Sequence, residues 1–198
     1  MKKKSLFKTK TQMIIYMFLY ILCISLFIII GQIDFQKDID TESKKFHSLY
    51  DMVEDDNLYV FSDATDVLSI VDGKSGVVLM GFPTNKWMNY YANILNNVAK
   101  EVGLNKIYYY DFQNDREESN GTYETIVNKL KVYVPVNDKG IQDIQAPTVI
   151  VVKKGEVIGY FDDTSIIKGT VTPEVYYTEN QKAITYEGFK TALLEYIK

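Results

Sequence analysis

Residues 11–33 carry no charged side chain, and residues 13–30 are almost wholly apolar. A helix of about 20 apolar residues is what the hydrocarbon core of a bilayer requires. The run therefore divides the chain into a short span and a remainder that must build its own core. Lys2, Lys3, Lys4, Lys8 and Lys10 precede it, and Asp34, Asp38 and Asp40 follow. Basic flanks belong on the cytoplasmic side. The expectation is a cytoplasmic basic tail over residues 1–11 and a transmembrane signal anchor over 12–33. The rest would then lie outside, on a single-pass protein of the cell membrane with its C-terminal domain extracytoplasmic. A cleaved signal peptide has a shorter apolar core and a small-x-small cleavage site. Gly31, Gln32 and Ile33 offer no such pair. A lipoprotein needs a small residue before its cysteine, but Cys23 follows Leu22 in mid-span. A buried core helix is disfavoured by the all-round apolar character and the lysine flank.

Cys23 is the only cysteine, so no intramolecular disulfide can form. All 26 acidic residues lie beyond position 33, with 17 of the 22 basic ones, a formal −9 for that part. An acidic domain argues against nucleic acid as a partner and against lying flat on an anionic membrane.

Beyond the span, residues 34–43 read as a polar stalk, and residues 41–56 as an amphipathic helix with Phe46, Leu49, Tyr50 and Val53 on one stripe. His47, the only histidine, has no neighbour that makes it catalytic or metal-binding, and reads as a surface residue. Alternation predicts a strand over 57–61, and apolar spacing a helix over 65–71. The uninterrupted apolar run 77–82 predicts a central strand buried on both faces. Helices are expected over 87–102, 122–132 and 186–197, a strand over 106–112, and a charged loop over 113–121. Residues 132–136 form a short Pro-interrupted run before a turn at 137–140. Two β-rich runs, 149–153 and 156–161, flank Lys154-Gly155 and predict a hairpin; residues 162–181 show no clear period. Parallel strands joined by helices, then an antiparallel hairpin, make an α/β fold with a mixed sheet flanked by helices.

The segment Gly76 to Met88 reads GVVLMGFPTNKWM: strand, Gly-Phe-Pro-Thr turn, helix start. Together with the strand at 106–112 and Ala146-Pro147 before the hairpin, it resembles the thioredoxin superfamily over roughly residues 57–198. In that superfamily the active site lies between a strand end and a helix N-terminus, in a familiar form as Pro-Thr-Cys-Pro-Trp-Cys. The matching positions here hold Pro83, Thr84, Asn85, Lys86, Trp87 and Met88. Asn and Met stand where the cysteines would be, and neither supplies the thiolate that disulfide exchange needs. The resemblance further implies a cis peptide bond before Pro147. Within the superfamily the chain is similar to exported Gram-positive thioredoxin-like proteins, including bacteriocin-transport accessory proteins.

The resemblance implies no catalytic residue and no cofactor, and the sequence offers no metal site. It does imply a candidate peptide-binding groove at Thr84, Asn85, Trp87, Met88, Ala146 and Pro147, because recognition by strand pairing needs no sulfur. The implied function is a membrane-anchored thioredoxin-like protein lacking dithiol chemistry. It would hold an exported peptide or a membrane or envelope protein noncovalently, or act as an export accessory factor. The alternative is a component of a thiol–disulfide exchange system that works with a cysteine-bearing partner. Other chemistry lacks its parts. The pairs Asp55-Asp56, Glu117-Glu118 and Asp162-Asp163 are adjacent and diverge, unlike a general acid/base pair. Residues 111–118 lack the glycine and spacing of a calcium loop. Asn120-Gly-Thr122 is a glycosylation sequon only where a host uses it.

Overall fold

The computed structural model describes residues 10–136, 140, 142–162 and 171–198; the side chains of residues 10, 11, 27 and 29–40 lie outside that description. Its contacts divide the chain into two units, Met1–Asp40 and Thr41–Lys198. The first is the helical run of α1 (Lys10–Leu49) up to Asp40. The polar residues 34–40, expected as a stalk, have helical backbone. Met13, Phe18, Tyr20 and their apolar neighbours are exposed, as is the free thiol of Cys23. Among the described residues no helix is long and apolar enough to cross a membrane.

The second unit is a mixed α/β domain. Its five strands are β1 (Tyr59–Phe61), β2 (Gly76–Gly81), β3 (Ile107–Asp111), β4 (Thr148–Lys153) and β5 (Glu156–Phe161). They form one sheet in the order β1-β3-β2-β4-β5. The first three run parallel, and β4 and β5 are antiparallel to their neighbours. The helices between them are α2 (Ala64–Val71), α3 (Trp87–Glu101), α4 (Gln113–Glu117) and α5 (Gly121–Lys129); α6 (Pro173–Tyr176) and α7 (Glu179–Ile197) follow β5.

Strand alternation splits the core in two. Val77 and Leu79 of β2, Ile107 and Tyr109 of β3, and Val149 and Val151 of β4 join one cluster with side chains of α3, α7 and the end of α1. Val78, Met80, Tyr110, Ile150 and Val152 join the other with α2, α5 and Leu130, Val134 and Ile144. Both faces are therefore covered, as the continuous apolar run of β2 demands. Phe46, at the end of α1, stacks on Tyr59 at 3.8 Å and meets Tyr109 edge-on at 5.0 Å. The amphipathic helix expected over 41–56 thus belongs to the domain core, and it stops at Leu49.

Caps account for several boundaries. Asp63 and Asp66 form a reciprocal capping box at α2. The Asn120 side chain accepts the Thr122 N–H at 2.8 Å and starts α5. Thr178 accepts the Gln181 N–H, so α7 begins seven residues before the predicted 186. Residues 113–117, expected as loop, form the single-turn α4. The run 132–136 makes only an isolated bridge, Val136 with Gln142. The turn expected at 137–140 lies outside the described residues except for Gly140.

The hairpin turn has Lys154 at φ 53° and Gly155 at φ 80°, and the Gly155 N–H donates to the Lys74 carbonyl at 2.8 Å. A Cβ on Gly155 would come within 2.8 Å of the Gly73 Cα, whereas one on Gly103, also at positive φ, would meet nothing within 4 Å. Gly103→Ala is expected to cost the left-handed penalty alone, about 1–2 kcal/mol. Gly155→Ala must add a backbone clash. Urea unfolding of the two variants should show the larger midpoint loss at Gly155.

Candidate functional site

The parallel strands all end at one edge of the sheet, and β4 begins there. The register pairs Met80 with Thr148, so the residues just after β2 and just before β4 are neighbours. The Ala146–Pro147 peptide is cis. Facing it, Asn85 is held on four sides. Its N–H donates to the Phe82 carbonyl (3.1 Å), and its carbonyl accepts the Met88 N–H (3.2 Å). Its side-chain Oδ1 accepts the Trp87 N–H at 2.9 Å. Its Nδ2 donates to the Ala146 carbonyl at 2.6 Å. One carboxamide thus caps the first turn of α3 and ties it to the loop before β4.

The six residues singled out from sequence do not share a surface. Thr84 is exposed, 3.5 Å from Gln113 through its hydroxyl. Asn85 and Trp87 are half-buried, while Ala146 and Pro147 are buried. Met88 is wholly buried, which corrects its assignment to the peptide-binding groove. Its thioether lies over Gly81, where a Cβ would stand 2.1 Å from the sulfur. The glycine ending β2 makes the space that the methionine fills. The structure brings together Asn85 with Ala146, and leaves Thr84, Asn85 and Trp87 as the reachable members.

Sequence reasoning missed the segment that faces them. Val171, Thr172, Pro173 and Glu174 form the opposite wall of a cleft of about 430 Å³, lined on the other side by Thr84 to Trp87. Trp87 meets the rings of Tyr176 and Tyr177 edge-on at 5.4 and 5.8 Å, and Tyr177 stacks on Tyr90 at 5.5 Å. The Thr172 hydroxyl holds the Glu174 carboxyl below the usual carboxylate range; its own backbone N–H and the nearby Lys86 ammonium act in the same direction. A Pro beginning a short helix and two adjacent tyrosines were the only signals in a stretch without period.

Arg116 was missed as well. Its guanidinium lies 5.2 Å from the Phe82 ring and 5.3 Å from the Phe112 ring, and 3.8 Å from the Asp143 carboxylate. Tyr123 donates to the same carboxylate at 2.5 Å, and Tyr110 donates to Asp115 at 2.5 Å. Burial first, and then these carboxylates, push both phenols up, so they stay protonated donors. Arg116 thereby ties the residues after β2 and β3 to the chain leading into Ala146. Within the acidic stretch 111–118, Asp111, Asp115 and Glu117 accept internal hydrogen bonds, and the described residues contain no group of three potential metal ligands. The Asn120 side-chain nitrogen of the sequon donates to Asp115 at 2.9 Å. His47 lies 2.6 Å from the Val53 carbonyl and 3.2 Å from Asp55, while Lys100 bridges Glu54 and Asp56.

Cys23 lies in the first unit, so residues 41–198 contain no thiol. The cleft offers a hydroxyl, an ammonium, a carboxylate and apolar surface, a set suited to reversible contact. Asn85→Ala should destabilise by about 1–3 kcal/mol, the cost of an orphaned carbonyl and amide. Asn85→Asp should cost more, since a carboxylate would face the Ala146 oxygen; thermal unfolding ranks the two. Tyr176→Ala is expected to shift the emission of Trp87, the sole tryptophan, to the red.

No family model matches the chain, and no curated protein matches it either.

Proposed function

We propose that this chain is a membrane-anchored, extracytoplasmic protein of thioredoxin-like type that performs no dithiol chemistry. It binds an exported peptide or an envelope protein noncovalently at the cleft beside Trp87. The observation that carries this reading is the hydrogen bond from Asn85 to Ala146. The residue in the proposed first-cysteine position bonds to the residue before a cis X–Pro bond, and a cis bond there is what the resemblance implies. A carboxamide there forms no covalent bond to a substrate. It also engages the Ala146 carbonyl, which an added strand would use. The partner therefore docks one step outward, between the exposed Thr84 and Lys86 on one side and Val171 and Glu174 on the other. Val171 is 41% exposed, apolar surface that a partner would cover. Anchoring rests on the uncharged run 11–33 and its five preceding lysines.

Two measurements test the reading. Purified full-length protein in detergent should reduce or oxidise a disulfide substrate no faster than a matched blank; turnover above the blank overturns the non-redox claim. Photo-crosslinkers at Lys86 and Val171 should capture a partner in cells, whereas one at the exposed Val132 should not; capture from Val132 alone overturns the docking face. The thioredoxin-like correspondence has its own test. Asn85→Cys with Met88→Cys places two thiols three residues apart at a helix start, a spacing within disulfide reach. They should pair under mild oxidation, even though emptying the Met88 site costs about 2–3 kcal/mol. Two free thiols after oxidation would falsify the correspondence.

A further inference from the structure

A second concavity lies away from the motif, between α3 and α7. It holds about 370 Å³, and Tyr90, Ile94, Ala183 and Tyr186 supply its apolar lining. Met52 forms one wall, and that wall is fixed: the Met52 N–H donates to Asn89 Oδ1 at 3.1 Å, and Asn89 Nδ2 donates to Asp51 at 2.7 Å. Beyond the groove the two helices are joined by Lys190 and Glu101 at 2.6 Å. Met52 is 40% exposed. The rim is acidic. Lys182 is the one cation among the lining residues, and Glu179 neutralises it at 3.0 Å. Glu187, in the lining and within electrostatic reach of Lys190, and Asp51, behind the Met52 wall, add further carboxylates, so the lining itself carries a formal −1.

We propose that this groove docks a cationic amphipathic helical segment of a protein or peptide partner. Its aliphatic side chains enter between Met52, Ile94 and Ala183, and its lysines or arginines lie over Glu187 and Asp51. An apolar floor alone selects no particular occupant. The carboxylates at its edge select against anionic segments and favour basic ones, and a groove between two helices suits anchors at i, i+3 and i+4. This site is separate from the cleft beside Trp87, which shares none of its lining residues.

The test uses the full-length chain in nanodiscs of zwitterionic lipid. Its probe is a fluorescent leucine–lysine amphipathic peptide, with binding to empty nanodiscs subtracted. Wild-type protein should bind the peptide, more weakly as salt rises, and should not bind its counterpart carrying glutamate for every lysine. Ala183→Trp, which fills the groove from an exposed position, should weaken binding at least about tenfold. Glu179→Lys with Glu187→Lys, both on the surface, should weaken it roughly three- to tenfold at low salt and does not depend on tolerance of a bulky residue. Val132→Asp, exposed and outside both concavities, should leave binding unchanged. Equal binding of the glutamate peptide, or wild-type affinity in both groove variants, overturns the proposal. Loss of binding in Val132→Asp as large as in the groove variants also overturns it. Failure of the motif cleft would appear separately, as missing crosslinks at Lys86 and Val171 with peptide binding intact.

Discussion

The constraint on which the domain depends is the complete burial of β2. Val77, Val78, Leu79 and Met80 are each no more than 1% exposed, so β2 needs a strand on either side and helices on both faces. Its neighbours meet this in different ways, β3 in parallel and β4 antiparallel. The end of β2 therefore lies where β4 begins. Met80 opposite Thr148 leaves Gly81 and Pro147 at the same edge, and a shift of one residue would turn every β4 side chain to the wrong core cluster. The meeting of Asn85 with Ala146 is thus a consequence of register, and register is set by burial.

Tyrosine does much of the joining within this frame, because a buried phenol must find a partner for its hydroxyl. Tyr50 and Tyr109 share a 2.8 Å hydrogen bond, linking the residue after α1 to the centre of the sheet. Tyr59 donates to the Ala92 carbonyl at 2.8 Å and so fastens β1 to α3. Tyr110 and Tyr123 do the same for the opposite layer through Asp115 and Asp143. Burial raises all five phenols, so none ionises near neutral pH and the set holds as neutral donors. A thiol-free domain, with no disulfide to stabilise it, fits an interior built on rings that both fill volume and cross-link layers.

The sheet and most of its helices were legible because their signals are local. The unbroken run at β2, the alternation at β1 and the Lys-Gly turn between β4 and β5 each need only a few residues to be read. Ala146-Pro147 was legible through resemblance. What stayed hidden depends on contacts distant in sequence. No window around Arg116 shows that it will lie against Phe82, Phe112 and Asp143, since three separate segments must first converge. The same holds for residues 171–177, whose role is fixed by Trp87, more than eighty residues away. Met88 was placed in the groove by its position in the motif, and only the space over Gly81 shows that it is core. The start of α7 was misread for a different reason: its first turns are polar, and only the Thr178 cap marks them.

Under the proposed thioredoxin-like correspondence, asparagine in a cysteine's place is more than a deletion. A thiol is a weak hydrogen-bond donor and a weak acceptor. A carboxamide is a good donor and a good acceptor at once, and Asn85 uses both, toward Ala146 and toward Trp87. A site that must react with a passing disulfide needs a nucleophile left unencumbered and an open backbone beside it. This one has its side chain and its neighbouring carbonyl engaged with each other. Asn85 is therefore a strut between the start of α3 and the loop before β4, and contact with a partner at this end of the sheet falls to residues that the strut supports. Trp87 is the first of these, its N–H held by Asn85 and its ring held by Tyr176 and Tyr177. The rigidity gained at the helix start is what makes a noncovalent surface there plausible physically: a contact that forms no bond must recover its ordering cost from preorganisation.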